Sequence, residues 1–163
     1  MGDRVTVPRL IVINQSVGPA FTDWLASLAA ASGPIELWSG NAPEAAGAGI
    51  LVRRFAAYDN SSAASRLLTW SRFTLAATGQ LLRQRDHVPL FVVTNPPLMP
   101  LAARWLRRLQ GRRYGLLEWD IYPQILAPMG LAGPNHLLYR LWRRSHAGAL
   151  RQAELVVTLG DHM

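Results

Sequence analysis

Two carboxylates two residues apart, Glu118 and Asp120, stand at the end of an apolar run, Tyr114–Leu117, with Trp119 between them. On a strand, residues two apart project to the same face. A buried strand that ends on charge must line a cleft or supply the charge with partners. Such a pair can hydrogen-bond substrate hydroxyls or support an oxocarbenium-like transition state. The competing role is structural: one of them caps a helix beginning near Tyr122. Asp120 is the catalytic candidate, with Glu118, Trp119 and Tyr122 as its neighbours in the site.

A second stretch of the same design lies upstream. Leu90–Thr94 is apolar and β-branched and runs straight into Asn95-Pro96-Pro97. In an open parallel sheet, ligands bind in the crevice beyond the carboxyl ends of the strands. The two abrupt strand ends therefore predict one shared rim. Asn95 can hydrogen-bond a ligand there, while Pro96-Pro97 stiffens the turn and starts a helix. Gly18-Pro19 can let an anion approach the amino end of the first helix, or it is an ordinary strand-to-helix turn. The full dinucleotide-binding fingerprint is absent.

The four histidines, His87, His136, His146 and His162, form no set. The spacing of His136 and His146 suits no zinc motif, so surface or capping roles are expected and no metal site is assigned. No serine sits in a G-x-S-x-G elbow, which leaves a hydrolase without a nucleophile.

The elements needed to position these residues are legible. Pro8–Asn14 reads as a first buried strand, and Phe21–Ala31 as a helix with Pro19 near its first turn and Gly33-Pro34 as its stop. Ile35–Trp38 is a short second strand, Ala42–Gly49 a loop, and Ile50–Tyr58 a third, edge-like strand. Asn60-Ser61-Ser62 offers a cap for a helix from about Ala63 to Arg85. There the seven-residue spacing of Leu68, Leu75 and Leu82 predicts the face laid on the sheet. Val88–Thr94 is the fourth strand, and the next helix has an expected apolar stripe of Leu98, Leu101, Ala102, Trp105 and Leu109. Tyr114–Asp120 is the fifth strand, followed by a short helix over Tyr122–Pro128. A helix over Asn135–Arg151 follows, with Leu138, Leu141 and Trp142 inward. Glu154–Leu159 is the sixth strand. Near-continuous apolar strands alternating with helices predict an α/β fold: a Rossmann-like parallel sheet of about six strands with helices on both faces. A single domain over 1–163 is expected, and the finish on a buried strand predicts that the natural chain continues.

The chain has 163 residues, half of them apolar, enough for a sizeable core. It has no cysteine, hence no disulfide framework or thiolate metal site. Its net charge is +7, and all 17 basic residues are arginine. That balance suggests an anionic partner. Arg104, Arg107, Arg108, Arg112 and Arg113, beside Trp105, are the candidate contacts to an anionic membrane surface; the rival role is plain solvated surface. Nothing resembles a nucleic-acid recognition motif. Leu10–Ile13 is too short for a secretory signal, and the two long uncharged stretches are broken by prolines. The expected place is the cytoplasm, peripheral at the inner face of the membrane.

The order of these features resembles the amino-terminal domain of a family-four glycosyltransferase with the GT-B fold. The resemblance covers essentially the whole chain. It rests on the glycine-containing turn Asn14–Pro19, the Thr94-Asn95-Pro96-Pro97 turn, Asp120-Ile121-Tyr122-Pro123, and the strand Ala153-Glu154-Leu155-Val156-Val157-Thr158-Leu159-Gly160. Trp119 stands where many members have histidine, and the first turn has one glycine rather than two or three. The resemblance implies a retaining, metal-independent transfer of a sugar from a nucleotide-sugar donor to a cell-envelope or polysaccharide acceptor, free or lipid-linked. It makes this chain the acceptor-binding half, with Gly18, Pro19, Asn95, Pro96, Glu118, Trp119 and Tyr122 as acceptor contacts. It also implies a second, donor-binding domain with an E-x7-E pair, which these residues do not include, and no cofactor in this domain. The alternatives are a non-catalytic Rossmann-like module binding an anionic ligand or membrane surface, and a nucleotide-dependent enzyme of another Rossmann class.

Overall fold

The computed structural model describes residues 8–43, 46–120 and 136–160. Six strands, β1 (Leu10–Ile13), β2 (Ile35–Ser39), β3 (Ile50–Arg54), β4 (Leu90–Val93), β5 (Tyr114–Glu118) and β6 (Leu155–Thr158), form one sheet. All five pairings are parallel, in the order β3-β2-β1-β4-β5-β6. Every residue of β2 and β4 is buried, as is nearly all of β1. That is the reason these segments read as unbroken apolar runs rather than alternating ones.

Among the described residues four helices cover the sheet: α1 (Pro19–Ser32), α2 (Ala63–Arg83), α3 (Met99–Gln110) and α4 (Leu137–Gln152). Side-chain alternation along β1 separates two cores. Val12 joins Phe21, Leu25 and Ala29 of α1 with Leu37, Val93 and Leu117. Ile11 and Ile13 join Phe73, Ala77 and Leu81 of α2, Met99, Ala103 and Leu106 of α3, and Ala149 of α4. The protein is thus α/β and Rossmann-like, as predicted, with α1 on one face and α2, α3 and α4 on the other.

Local signals hold. Pro19 opens α1, and Gly33 ends it at φ 94°, a left-handed value that favours glycine. The Ser62 hydroxyl accepts a hydrogen bond from Ser65 N at 3.0 Å and caps α2. Gly111, at φ 67°, ends α3. β3 is indeed an edge strand, although only Ile50–Arg54 of the predicted Ile50–Tyr58 pairs.

The faces of three helices differ from expectation. On α2 the buried residues are Trp70, Phe73, Thr74, Ala77 and Leu81, while Leu68, Leu75 and Leu82 are exposed. The helix carries two apolar faces, and the one with the two aromatic rings removes more area from water. On α3 the buried set is Met99, Pro100, Ala103 and Leu106, and Trp105 and Leu109 are about half exposed. On α4 Leu138 and Leu141 face solvent, and Tyr139, His146, Gly148 and Ala149 face the core. Small residues win there because α3 and α4 pack closely. A methyl on Gly148 would strike the Arg104 guanidinium. The predicted Tyr122–Pro128 helix and Tyr122 itself lie outside the described residues.

Candidate functional site

The chain runs outward from β1 to β2 and β3, then returns to lay β4 on the other side of β1. The connections leaving the paired carboxyl ends of β1 and β4 therefore lead to opposite faces of the sheet, to α1 and to α3, which opens a crevice at that switch point. A cavity of about 340 Å³ lies there, lined by Asn14, Ser16, Gly18, Pro19, Ala20, Phe21, Val93, Asn95 and Trp119. Four of the predicted site residues, Gly18, Pro19, Asn95 and Trp119, meet in it.

Each wall has a local cause. Gly18 precedes α1 in an extended conformation, φ −98°, and a Cβ built on it meets nothing within 4 Å. The first turn of α1 carries no acidic residue and no side-chain cap. Its leading N–H groups therefore keep their affinity for an anion or a polar oxygen. Trp119 is 43% exposed and stands edge-on to Phe21, with ring centroids 6.5 Å apart. Trp24 continues the aromatic row, 5.2 Å from Phe21 and 5.5 Å from Phe91. Asn95 is half-buried, and its carbonyl accepts a hydrogen bond from Gln15 N at 2.9 Å. The Asn95–Pro96 peptide bond is cis. Pro96 is buried and accepts from Met99 N at 3.0 Å, so it starts α3 and does not line the crevice.

The rim is held by two buried polar residues that sequence reading did not single out. Thr94 is fully buried, and its hydroxyl accepts from both Trp119 N, at 2.9 Å, and Asp120 N, at 3.1 Å. One side chain thereby ties the end of β4 to the turn beyond β5. Gln15 is also fully buried. Its carbonyl accepts from Gly40 N, Asn41 N and the Ser39 hydroxyl. Its side-chain amide donates to the carbonyls of Ala56 and Thr69, each at 3.1 Å. Thr94 could have been found, since it opens the Thr94-Asn95-Pro96-Pro97 turn; Gln15 carried no signal beyond its place at a strand end.

Asp120 lies just past β5, half-buried, and burial pushes its carboxyl above the ordinary value. Because β5 ends at Glu118, strand alternation does not extend to Asp120. Glu118 points to the opposite face of the sheet from the α1 core. There its carboxylate lies 2.8 Å from His146 Nε2 on α4, with both side chains buried. His146 is therefore no surface residue, contrary to expectation: a carboxylate buried at a strand end needs a partner, and α4 supplies it. His136 does cap α4, its Nδ1 accepting from Leu138 N at 3.3 Å.

The arginines divide differently from the predicted patch. Arg112 is fully buried, donating to the Val88 carbonyl at 3.1 Å and to Leu81's at 3.2 Å. Burial pulls its guanidinium below the ordinary value. It cannot meet a membrane; it closes the carboxyl end of α2 onto the sheet. Arg113 and Arg107 hold Glu154, at 2.7 and 3.4 Å. Arg113 keeps that carboxyl below its usual range. Arg104 is half-buried and donates to the Ser145 carbonyl at 3.2 Å. Arg108 is exposed.

No protein-family model matches the chain. Over 70 residues, 43% of its length, the chain is 33% identical to the probable glycosyltransferase WbjE of Pseudomonas aeruginosa. The matched stretch is 18% of that protein, so the likeness covers less than a fifth of WbjE. This partial similarity and the all-parallel α/β sheet agree on a glycosyltransferase-like fold.

Proposed function

We propose that the chain is the acceptor-binding half of a GT-B-type glycosyltransferase that builds cell-envelope or polysaccharide sugars, retaining and independent of metal. The observation that carries this reading is the crevice at the β1–β4 switch point. It is lined by Asn14, whose amide oxygen accepts from Ser16 N, and by Asn95, beside the exposed ring of Trp119. Amides that hydrogen-bond hydroxyls, next to an aromatic face that covers a sugar's C–H groups, make a carbohydrate-binding wall. The similarity to WbjE supports the same class.

In this reading the acceptor lies against Trp119 with its hydroxyls on Asn95 and Asn14, and the open first turn of α1 faces the incoming donor. Asp120, held in place through Thr94, hydrogen-bonds the reacting hydroxyl or supports charge developing at the donor sugar. The nucleotide-sugar is held by a second domain, and positioning both reactants supplies much of the rate. The 163-residue chain alone therefore binds acceptor without transferring sugar.

Ligand-observed NMR of the chain with lipid-linked and soluble oligosaccharide fragments tests this. Binding is expected, with at least a tenfold loss in Trp119→Ala and in Asn95→Ala. Binding that neither substitution weakens, or no binding by any fragment, would overturn the reading. The open amino end of α1 also favours a non-catalytic anion-binding module. In that case inorganic phosphate or a nucleotide would bind in the same crevice and sugars would not.

A further inference from the structure

Three helices share the face of the sheet opposite α1, and their composition is one-sided. α2 and α3 carry three arginines each and α4 carries four, ten in all, and none of these helices contains Asp or Glu. α1, on the other face, has Asp23 and no basic residue. On a soluble surface such arginines should alternate with carboxylates, because interspersed signs keep a surface soluble without a large single-sign field. Here they do not alternate.

The same helices expose apolar side chains. Trp70 of α2 and Trp142 of α4 pack together with Tyr58, so the amino-terminal halves of the two helices meet through these rings. Around that contact Leu67 and Leu68 of α2 and Leu137, Leu138 and Leu141 of α4 are each between 55% and 75% exposed. Exposed leucine clusters of this size on a water-soluble surface mark something that covers them. Arg72 on α2 and Arg140, Arg143 and Arg144 on α4 are exposed around them. Leucines among arginines, with the exposed Asp59 just ahead of α2 as a nearby carboxylate, match an acidic lipid interface, where the leucines enter the acyl boundary and the guanidinium groups meet phosphate. Among the described residues no helix is long and apolar enough to cross a membrane, so the contact is one of surface docking.

We infer that the paired amino-terminal halves of α2 and α4 dock the protein on an anionic phospholipid bilayer. The partner arginines are those of α2 and α4, rather than the Arg104–Arg113 group, which is largely engaged within the fold. Helices over a parallel sheet begin at the carboxyl ends of the strands, so docking brings the rim of the crevice to the bilayer. That consequence rests on the proposed transfer to a lipid-linked acceptor; the docking itself does not.

Vesicle flotation of the 163-residue chain decides it, with phosphatidylcholine alone and with phosphatidylglycerol added. Binding is expected only with the acidic lipid and should weaken as salt is raised, because exposed charges are screened within about 10 Å at 0.1 M salt. Arg140→Gln, Arg143→Gln and Arg144→Gln together should lower partitioning roughly 150-fold, at about fivefold per arginine. Leu138→Gln with Leu141→Gln should abolish it even with all arginines present. Circular dichroism and denaturation midpoints close to wild type are expected for both sets, since every replaced side chain is exposed. Flotation that ignores acidic lipid, no flotation at all, or binding kept by both variant sets would overturn the inference. So would sedimentation showing a dimer that Leu138→Gln with Leu141→Gln dissolves, because a second copy would then cover the leucines.

Discussion

Thr94 offers the sharpest test of how the candidate site is held. Its hydroxyl is the acceptor for two consecutive backbone N–H groups, Trp119 N at 2.9 Å and Asp120 N at 3.1 Å, in a fully buried position. Thr94→Val keeps the shape and the β-branch but removes the acceptor. Two N–H groups then lose their partner; each costs about 1–3 kcal/mol where water cannot reach it. Because Trp119 and Asp120 are only partly buried, the low end of that range applies, about 1–1.5 kcal/mol each and about 2–3 kcal/mol in total. Thr94→Ser keeps the hydroxyl and loses one methyl, costing about 1 kcal/mol. Urea denaturation followed by tryptophan fluorescence measures both. With a slope of about 2 kcal/mol/M, Thr94→Val should lower the midpoint by roughly 1–1.5 M and Thr94→Ser by about half that or less. In the valine variant, amide exchange at Trp119 and Asp120 should also accelerate. If valine is tolerated as well as serine, the hydroxyl does not hold the turn, and the argument that β4 positions Asp120 fails.

Two further perturbations probe the carboxylates. His146→Ala leaves Glu118 buried without its partner and should cost about 3–5 kcal/mol, whereas the double change with Glu118→Gln should cost much less than the sum of the two singles; additivity in denaturation measurements would show that the pair is not coupled. Burial holds the Asp120 carboxyl above 3.8, so the folded protein binds that proton more tightly than the unfolded chain. The contribution to stability therefore grows as pH falls through the folded pKa toward 3.8 and is lost above it. Asp120→Asn should be at least as stable as wild type at pH 7, with a flatter stability profile in that acidic window, while impairing sugar transfer by the complete enzyme. A variant less stable at pH 7 would mean that Asp120 is a structural anion, and one of undiminished activity would remove it from the site.

The sheet was legible because its signal is coarse. Leu90–Val93 and Ile35–Trp38 must be buried on both sides, and only a parallel sheet uses runs like that between helices. Caps and stops at Pro19, Gly33 and Ser62 were legible because they act on the backbone within a few residues. Arg112 and His146 were not legible, since their partners are set by tertiary structure. Arg112 satisfies carbonyls of Leu81 and Val88, and His146 meets a carboxylate 28 residues away. An isolated arginine or histidine in a helix-rich sequence carries no local mark of either role.

The misread helix faces have a common cause. Period alone finds an apolar stripe but cannot say what the stripe touches. On α2 the stripes through Leu68, Leu75 and Leu82 and through Phe73, Ala77 and Leu81 are both acceptable to a sheet. The sheet takes the second because it brings Trp70 onto Tyr58 and Trp142. The rejected stripe then stays in water. The same happens at Leu138 and Leu141 on α4, where Gly148 and Ala149 allow close approach to α3 and the larger residues turn outward. The presence of these leucines on helices that also lack every carboxylate is a single pattern, and a bilayer with acidic headgroups is the surface that both halves of the pattern fit.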